Sequence, residues 1–474
     1  MHDTPAYPGA PASAVLVDPE LVRKCNISGP RYASYPTADH FVEAYDSRAH
    51  QITLCQRNTL QPPGRIAQPL SLYVHIPFCN TLCFFCKCHM VVSRDHRRVA
   101  RYLRYLAREF SLVAGMLGGA RQPARVHLGG GTPSILNSLE LEQLMRELGR
   151  HFDLAPGEHA IEIDPRTADE ERIATLAKLG FTSMSFGVQD FDPDVQQAVN
   201  RIQTVAETAQ VISLARRHGV SSVNLDLIHG LPRQTLAGFD QTLDHVLGMR
   251  PDRIALYSYA HLPAIFKPQR HIDARALPDM EAKLQVMTLA INRLTTAGYV
   301  YLGMDHFALP HDKLAIAARR AGLRHNFEGY SAHPEGDLIA FGVSAISKIG
   351  ATYSQNVKTL DAYYDRLDHD ELPVLRGINL TADDLLRRTV IQSLLCHFEL
   401  SIESIEIAYL MKFRDYFSAE WDNLEALERD GIITIDPEWI TVTPRGRLLV
   451  RTVAMVFDKH LSRSEQRARF AKVI

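Results

Sequence analysis

No apolar run in the chain approaches the roughly 18 residues that a membrane span needs, so no membrane partner is expected. The first residues, Met1 to Val22, lack the basic start and apolar centre of a secretory signal. Neither sign of charge dominates: 52 Lys and Arg face 54 Asp and Glu, a net charge of −2. Without a basic excess, no nucleic-acid partner is expected. Cysteines number only seven, an odd count. That argues against a disulfide framework and for a reducing compartment, hence a cytoplasmic location.

What the chain does have is a concentration of thiols. Four of the seven cysteines fall in Tyr73-Val-His-Ile-Pro-Phe-Cys79-Asn-Thr-Leu-Cys83-Phe-Phe-Cys86-Lys-Cys88. Cys79, Cys83 and Cys86 have the spacing C-x3-C-x2-C. Three closely spaced thiolates on one loop suit an iron–sulfur cluster. A structural zinc site normally takes four ligands, commonly as two separated pairs. A 4Fe-4S cluster on three cysteines leaves one iron free for chemistry, the pattern of radical S-adenosylmethionine enzymes. The alternative is a zinc knuckle with Cys88 or His89 as fourth ligand.

At 474 residues the chain buries a large core and divides into more than one domain. An Ala/Pro-rich tail fills residues 1–20. Then comes Ser28-Gly-Pro-Arg31-Tyr32-Ala-Ser-Tyr35-Pro-Thr37, whose prolines and glycine forbid a helix. By composition it is a strap packed by its tyrosines; the functional alternative is a segment that closes over a site. From residue 70 strands and helices alternate. Strands at Leu72–His75, Arg125–Leu128, Ala160–Ile163, Ser183–Phe186, Ser222–Leu227 and Arg253–Tyr257 are separated by helical stretches such as His96–Leu117. Thr167 with Glu170, and Thr204 with Glu207, read as capping boxes. Six such units predict parallel strands with right-handed crossovers. Ligands of such sheets gather at the carboxyl ends of the strands, where every candidate motif lies. From about residue 360 the pattern turns helical. Gly431–Thr443 reads as a two-stranded wing, and Pro444 as the start of a last helix. The expected architecture is α/β: residues 1–69 a tail and strap, 70–355 a (β/α)6 part-barrel, and 356–474 a mainly helical, winged-helix-like domain.

Gly129-Gly130-Gly131-Thr132 would let backbone approach a ligand closely. Glu162 and Asp226 end the third and fifth strands and could accept hydrogen bonds from amino or ribose groups. Gln189 and Arg201 could reach the same mouth. Arg201 would suit a carboxylate through its two-pronged fork.

These motifs, with Glu162-Ile-Asp-Pro-Arg166, Gly187-Val-Gln-Asp-Phe191, Tyr259-Ala-His-Leu-Pro263, Gly303-Met-Asp-His-Phe307 and Gly342-Val-Ser-Ala-Ile346, carry a resemblance. From about residue 20 onward the chain resembles the oxygen-independent coproporphyrinogen III oxidases, radical S-adenosylmethionine enzymes of haem biosynthesis. The resemblance implies conversion of two propionates of coproporphyrinogen III to vinyl groups, giving protoporphyrinogen IX. It implies a 4Fe-4S cluster on Cys79, Cys83 and Cys86, with Cys88 matching a cysteine the family does not use as a ligand. It implies two molecules of S-adenosylmethionine. Tyr73, Gly130, Glu162 and Ile346 match residues around the first. Phe85, Gly131, Thr132, Gln189, Arg201, Asp226 and Ala260 match residues around the second. Arg31 on the strap is the candidate for a substrate carboxylate. A low-potential donor of the flavodoxin or ferredoxin type and a monomeric state are also expected. The chain departs from the family at Lys87, usually a small residue, at His89, commonly Asn, and at His229, commonly Tyr. Related methyl-transferring or haem-degrading enzymes and a haem-trafficking chaperone are the alternatives. Cys88 and the strap favour the oxidase.

Overall fold

Alternation within the strands sets the architecture. In a strand successive side chains point to opposite faces. In β1 (Leu70–Ile76), Leu70, Leu72, Val74 and Ile76 are buried on one face, while Ser71, Tyr73 and His75 occupy the other. The same pattern continues through β2 (Arg125–Gly130), β3 (Glu158–Ile163), β4 (Phe181–Gln189), β5 (Ser222–His229) and β6 (Arg253–Ser258). Their apolar faces carry Val126, Leu128, Ile161, Met184, Phe186, Val223, Leu225, Ile254 and Leu256, all buried. Cutting Phe186 to Ala should cost about 3–5 kcal/mol.

The computed structural model describes residues 15–25, 27–57, 69–117, 121–154, 158–327, 329–461, 470 and 472. The expected tail falls largely outside them. Strands β1 to β6 pair in parallel, each beside the next in sequence. β6 does not pair back to β1, so the barrel stays open. Instead β1 pairs in parallel with β7 (Asp337–Phe341), and antiparallel strands β8 (Ile346–Ile349), β9 (Thr352–Asn356) and β10 (Val374–Asn379) follow. The expected part-barrel is therefore present, extended by four strands on one side.

Helices cross over between strands, each with a defined start. Asp95 caps α1 (His96–Met116) by accepting from Arg97 N. Asn137 and Glu140 form a capping box on α2 (Ser138–Gly149). On α3 (Glu170–Lys178) the cap is Asp169, which accepts from Arg172 N. The predicted Thr167–Glu170 box is thus corrected: Thr167 lies in a preceding 3-10 turn and bonds the Asp164 carbonyl. Thr204 and Glu207 do form their box on α4 (Val205–Arg217). Thr235 caps α5 (Leu236–Gly248).

The chain divides into two compact units, 33–289 with 333–385, and 1–32 with 290–332 and 386–474. These cut across the linear division expected from sequence, because the strap up to Tyr32 clusters with residues far along the chain. The larger unit holds the ten strands above. The smaller holds helices Ile402–Tyr409, Ser418–Arg429 and Val450–Val456 and a three-stranded antiparallel sheet, Glu399–Ser401, Trp439–Val442 and Ile433–Ile435. The wing thus gains a third strand. Pro444 does not open the last helix; a turn and a 3-10 segment, Arg447–Leu449, come first. Thr443 caps that turn by accepting from Gly446 N at 3.1 Å.

Candidate functional site

The carboxyl ends of β1 to β5 bring most of the sequence candidates together. Tyr73 sits opposite His127, and His75 opposite Gly129, so these share one face of the sheet. Glu162 pairs with Ser185 and Gly187 with Asp226 on the strands that follow. Where β2 ends, Gly130 adopts φ +121°, a conformation that favours glycine. Its N–H donates to Glu162 Oε2 at 3.2 Å. A Cβ on Gly131 would lie 2.8 Å from the Pro77 carbonyl oxygen and 3.0 Å from Cys79 Sγ. Bare backbone is therefore required beside the cysteine loop. Thr132 Oγ1 is 3.3 Å from the same sulfur.

Asp164 organises the charges. Arg166 grips it with Nε and Nη2, at 2.9 and 2.6 Å, and Arg201 Nη1 reaches it at 3.1 Å. Burial pushes the Asp164 carboxyl up, but the Arg201 and Arg166 guanidiniums outweigh it and hold the group below its usual range. Both arginines also reach Cys83 Sγ, at 3.6 and 3.8 Å. Two cations thus stand beside one sulfur. Arg201 Nη2 donates to the Gly187 carbonyl at 2.6 Å. Gln189, at φ +69°, flanks Gly187 together with Arg201. Gln189 Oε1 and Arg201 Nε are buried and make no hydrogen bond among the described residues. Asp226 accepts from Ser185 and Asn224, at 3.0 and 2.8 Å. Burial, aided by the Glu162 charge, pushes its carboxyl up to about 6.

Phe85 packs against Val195, Val199, Leu231, Tyr259 and Ile272. The Ala260 carbonyl, just past β6, accepts from Gln269. Ile346 opens β8. Arg31 lies in the smaller unit, paired with Asp305.

Two histidines that sequence reasoning did not single out belong to this face, and a buried glutamate on α1 supports a neighbouring loop. His127 Nδ1 lies 3.3 Å from Arg125 Nη2, and its Nε2 lies 3.5 Å from Glu162 Oε1. A guanidinium can only donate, so Nδ1 accepts and the ring proton sits on Nε2, towards Glu162. His75 Nε2 is 2.9 Å from the His89 carbonyl, which fixes its proton there, and burial pushes its pKa down to about 4. Glu109, on α1, is fully buried and accepts from Tyr363, Gly342 N and Asn356, at 2.6, 2.7 and 2.8 Å. Tyr102 adds bonds to the His75 carbonyl and Val343 N, at 2.8 and 3.0 Å. Together they anchor the loop leading to Ile346. A histidine on the interior face of a buried strand, two places before the glycines, was the available sign for His127. Glu109 had none.

The three thiols do not close on a single ion: no group of three His, Cys, Asp or Glu with that geometry occurs among the described residues. A cluster spreads its ligands over several irons. Burial pushes the Cys79 thiol up to about 12, so ligation there must displace a proton.

A model of the radical SAM superfamily matches residues 73–246, and one of the HemN C-terminal domain matches 380–449. Oxygen-independent coproporphyrinogen III oxidase of Pseudomonas aeruginosa is 45% identical over 460 residues, covering 96% of this chain and 98% of that one. The chain belongs to the oxygen-independent coproporphyrinogen III oxidase family. The Synechocystis relative of the same name is 42% identical over 96% of this chain and 97% of its own. The solved structure of the Escherichia coli coproporphyrinogen III oxidase, described as a radical SAM enzyme, matches with a TM-score of 0.88 and 40% identity. It covers 94% of this chain and all of that one. In this family the cofactors are a 4Fe-4S cluster and S-adenosylmethionine, and the donor set around the cysteine loop fits them. No helix among the described residues is long and apolar enough to cross a membrane.

Proposed function

We infer that this chain catalyses the oxygen-independent oxidative decarboxylation of coproporphyrinogen III to protoporphyrinogen IX. The carrying observation is 45% identity along 96% of the chain with a relative of that name, strap and C-terminal region included. The methyl-transfer, haem-degradation and chaperone readings do not account for likeness of that extent.

Cys79, Cys83 and Cys86 would hold the cluster. When bound, the cluster and S-adenosylmethionine supply a 5′-deoxyadenosyl radical that abstracts hydrogen from the propionate β-carbon. The chain's own groups position the reactants. Around a first S-adenosylmethionine would stand Tyr73, Gly130, Glu162 and Ile346, with Glu162 held by the Gly130 N–H. Its carboxylate is half exposed, free to accept from an amino or hydroxyl group. Around a second stand Phe85, Gly131, Thr132, Gln189, Arg201, Asp226 and Ala260. The buried Gln189 Oε1 and Arg201 Nε offer it one acceptor and one donor. Arg166 and Arg201 place positive charge beside Cys83, where it would offset the negative charge of a bound cluster. Arg31 pairs a substrate carboxylate in exchange for Asp305. The substrate loses carbon dioxide and one electron at each propionate, which leaves the vinyl group. A low-potential one-electron donor and a monomeric, cytoplasmic protein complete the reading, with residues 1–69, 70–355 and 356–474 as its functional segments.

The test is anaerobic turnover of reconstituted protein with S-adenosylmethionine and dithionite, read as product fluorescence after oxidation. Protoporphyrin is the expected product. Cleavage of S-adenosylmethionine without any decarboxylated porphyrin would overturn the assignment.

A further inference from the structure

Acidic residues are missing from two segments that meet over the cysteine loop. Neither 80–93 nor 261–272 contains an Asp or Glu, although the chain as a whole has slightly more acids than bases. Three contacts join the segments. The Phe84 and His271 rings stack with centroids 4.8 Å apart and 24° between planes. Gln269 Nε2 donates to the Phe85 carbonyl at 3.3 Å. The Lys87 ammonium lies 5.8 Å from the centre of the Phe266 ring. Lys87, Lys267, Arg270 and His271 are all exposed there, and Ile265 is 51% exposed among them. The face is thus an apolar, aromatic centre ringed by cations, and Lys87 directly follows Cys86.

We propose that this face docks an acidic electron-carrier protein of the flavodoxin type. The proposal rests on the radical reading above and extends it to a partner and a surface. The chemistry matches in two respects. Clustered cations on a nearly neutral chain steer an acidic partner to one place. An apolar centre accepts the exposed hydrocarbon edge of a flavin, with the partner's carboxylates falling on the surrounding Lys and Arg. The step balances: the anionic flavin hydroquinone gives up one electron and becomes the neutral semiquinone, with no proton exchanged. The oxidised cluster takes up that electron. Lys87, directly after Cys86, adds a cation beside the cysteine loop.

The test compares two double charge reversals in the reconstituted holoenzyme. Lys267→Glu with Arg270→Glu alters the face. Arg150→Glu with Arg217→Glu makes the same change of charge at the last turns of α2 and α4, the opposite end of the barrel. Cluster reduction by flavodoxin hydroquinone is followed by absorbance, and binding of oxidised flavodoxin by flavin fluorescence. The first pair should lower both rate and affinity by about tenfold or more at low salt, and the second pair by less than about twofold. Lys267→Gln, a milder change, should give a smaller loss in the same direction. Rate constants with dithionite should stay unchanged in every variant. Equal effects of the two pairs overturn the proposal, as does a loss with dithionite. So does a raised KM for coproporphyrinogen III under dithionite, which would assign the cations to the substrate. A ferredoxin that reduces the cluster faster, with the same dependence on Lys267 and Arg270, overturns the choice of carrier. Failure of dithionite-driven decarboxylation in the unaltered protein counts against the radical reading instead, so the two failures are distinct.

Discussion

The mouth of the parallel sheet and the polar interior of the smaller unit both set arginine against aspartate, but they are assembled differently. At the mouth, Asp164 and Arg166 follow the end of β3, Arg201 follows the short helix Pro193–Ala198 after β4, and both arginines reach Asp164 and one sulfur. In the smaller unit, Arg31 meets Asp305, and Tyr32 donates to Asp458 at 2.9 Å. Arg451 is buried beside them, and burial with the nearby Arg31 charge pushes its pKa down to about 10. Those groups come from three distant stretches of chain. Asp305 follows Met304 in a pair of left-handed residues, φ +75° and +45°, that turn it out of the strand path. The first arrangement fixes charges around one sulfur of the cysteine loop. The second leaves Arg31 40% exposed beside Asp305, within reach of a competing carboxylate.

Variants should separate the two regions. Cys83→Ala should abolish the cluster absorbance and all turnover; surviving absorbance would show that Cys83 is not a ligand. Arg201→Lys keeps the charge but cannot bridge Asp164, Cys83 and the Gly187 carbonyl together. Supporting residues of this kind are typically worth 10- to 100-fold, so kcat should fall by about that factor with the substrate KM little changed. Arg31→Gln should do the reverse, raising the KM for coproporphyrinogen III on the order of tenfold and sparing the cluster absorbance. An equal split between kcat and KM in both variants would dissolve the distinction.

Acid should weaken both regions, by the smallest amount. His75 has its pKa lowered to about 4 in the folded chain, against 6.5 as its ordinary value. Below pH 6.5 the unfolded chain therefore binds a proton that the folded chain does not. Stability falls as pH drops from 6.5 towards 4, by about 1 kcal/mol for this one group at pH 5.5. His325 in the smaller unit, pushed down to about 3 by burial and by the His306 and Arg31 charges, acts in the same direction. Urea unfolding between pH 7.5 and 5 checks the slope. His75→Asn should flatten it, and an unchanged slope would contradict the assigned shift.

This contrast also explains what the sequence made legible. The six strands, the Thr204–Glu207 box and the glycine turn rest on local patterns, namely period-two burial, a cap at fixed spacing and a backbone that tolerates no Cβ. The cysteine spacing is equally local, and most candidates followed because strand ends converge. Thr167 was misread because Asp169, two residues on, competes for the same helix start and wins. Pro444 lies in a capped turn, and the last helix starts only at Val450, after the 3-10 segment Arg447–Leu449. His127 was passed over because a lone histidine in a strand resembles ordinary core. The partners of Arg31 and Glu109 were out of reach, since Asp305 lies 274 residues from Arg31 and Tyr363 lies 254 from Glu109. Only the folded chain brings such pairs together.

The most direct test of the account follows the hydrogen. Coproporphyrinogen III carrying deuterium at the propionate β-carbons is turned over anaerobically, and the 5′-deoxyadenosine is analysed by mass spectrometry. The account predicts deuterium in the 5′-deoxyadenosine together with vinyl product. Unlabelled 5′-deoxyadenosine beside decarboxylated porphyrin would contradict it.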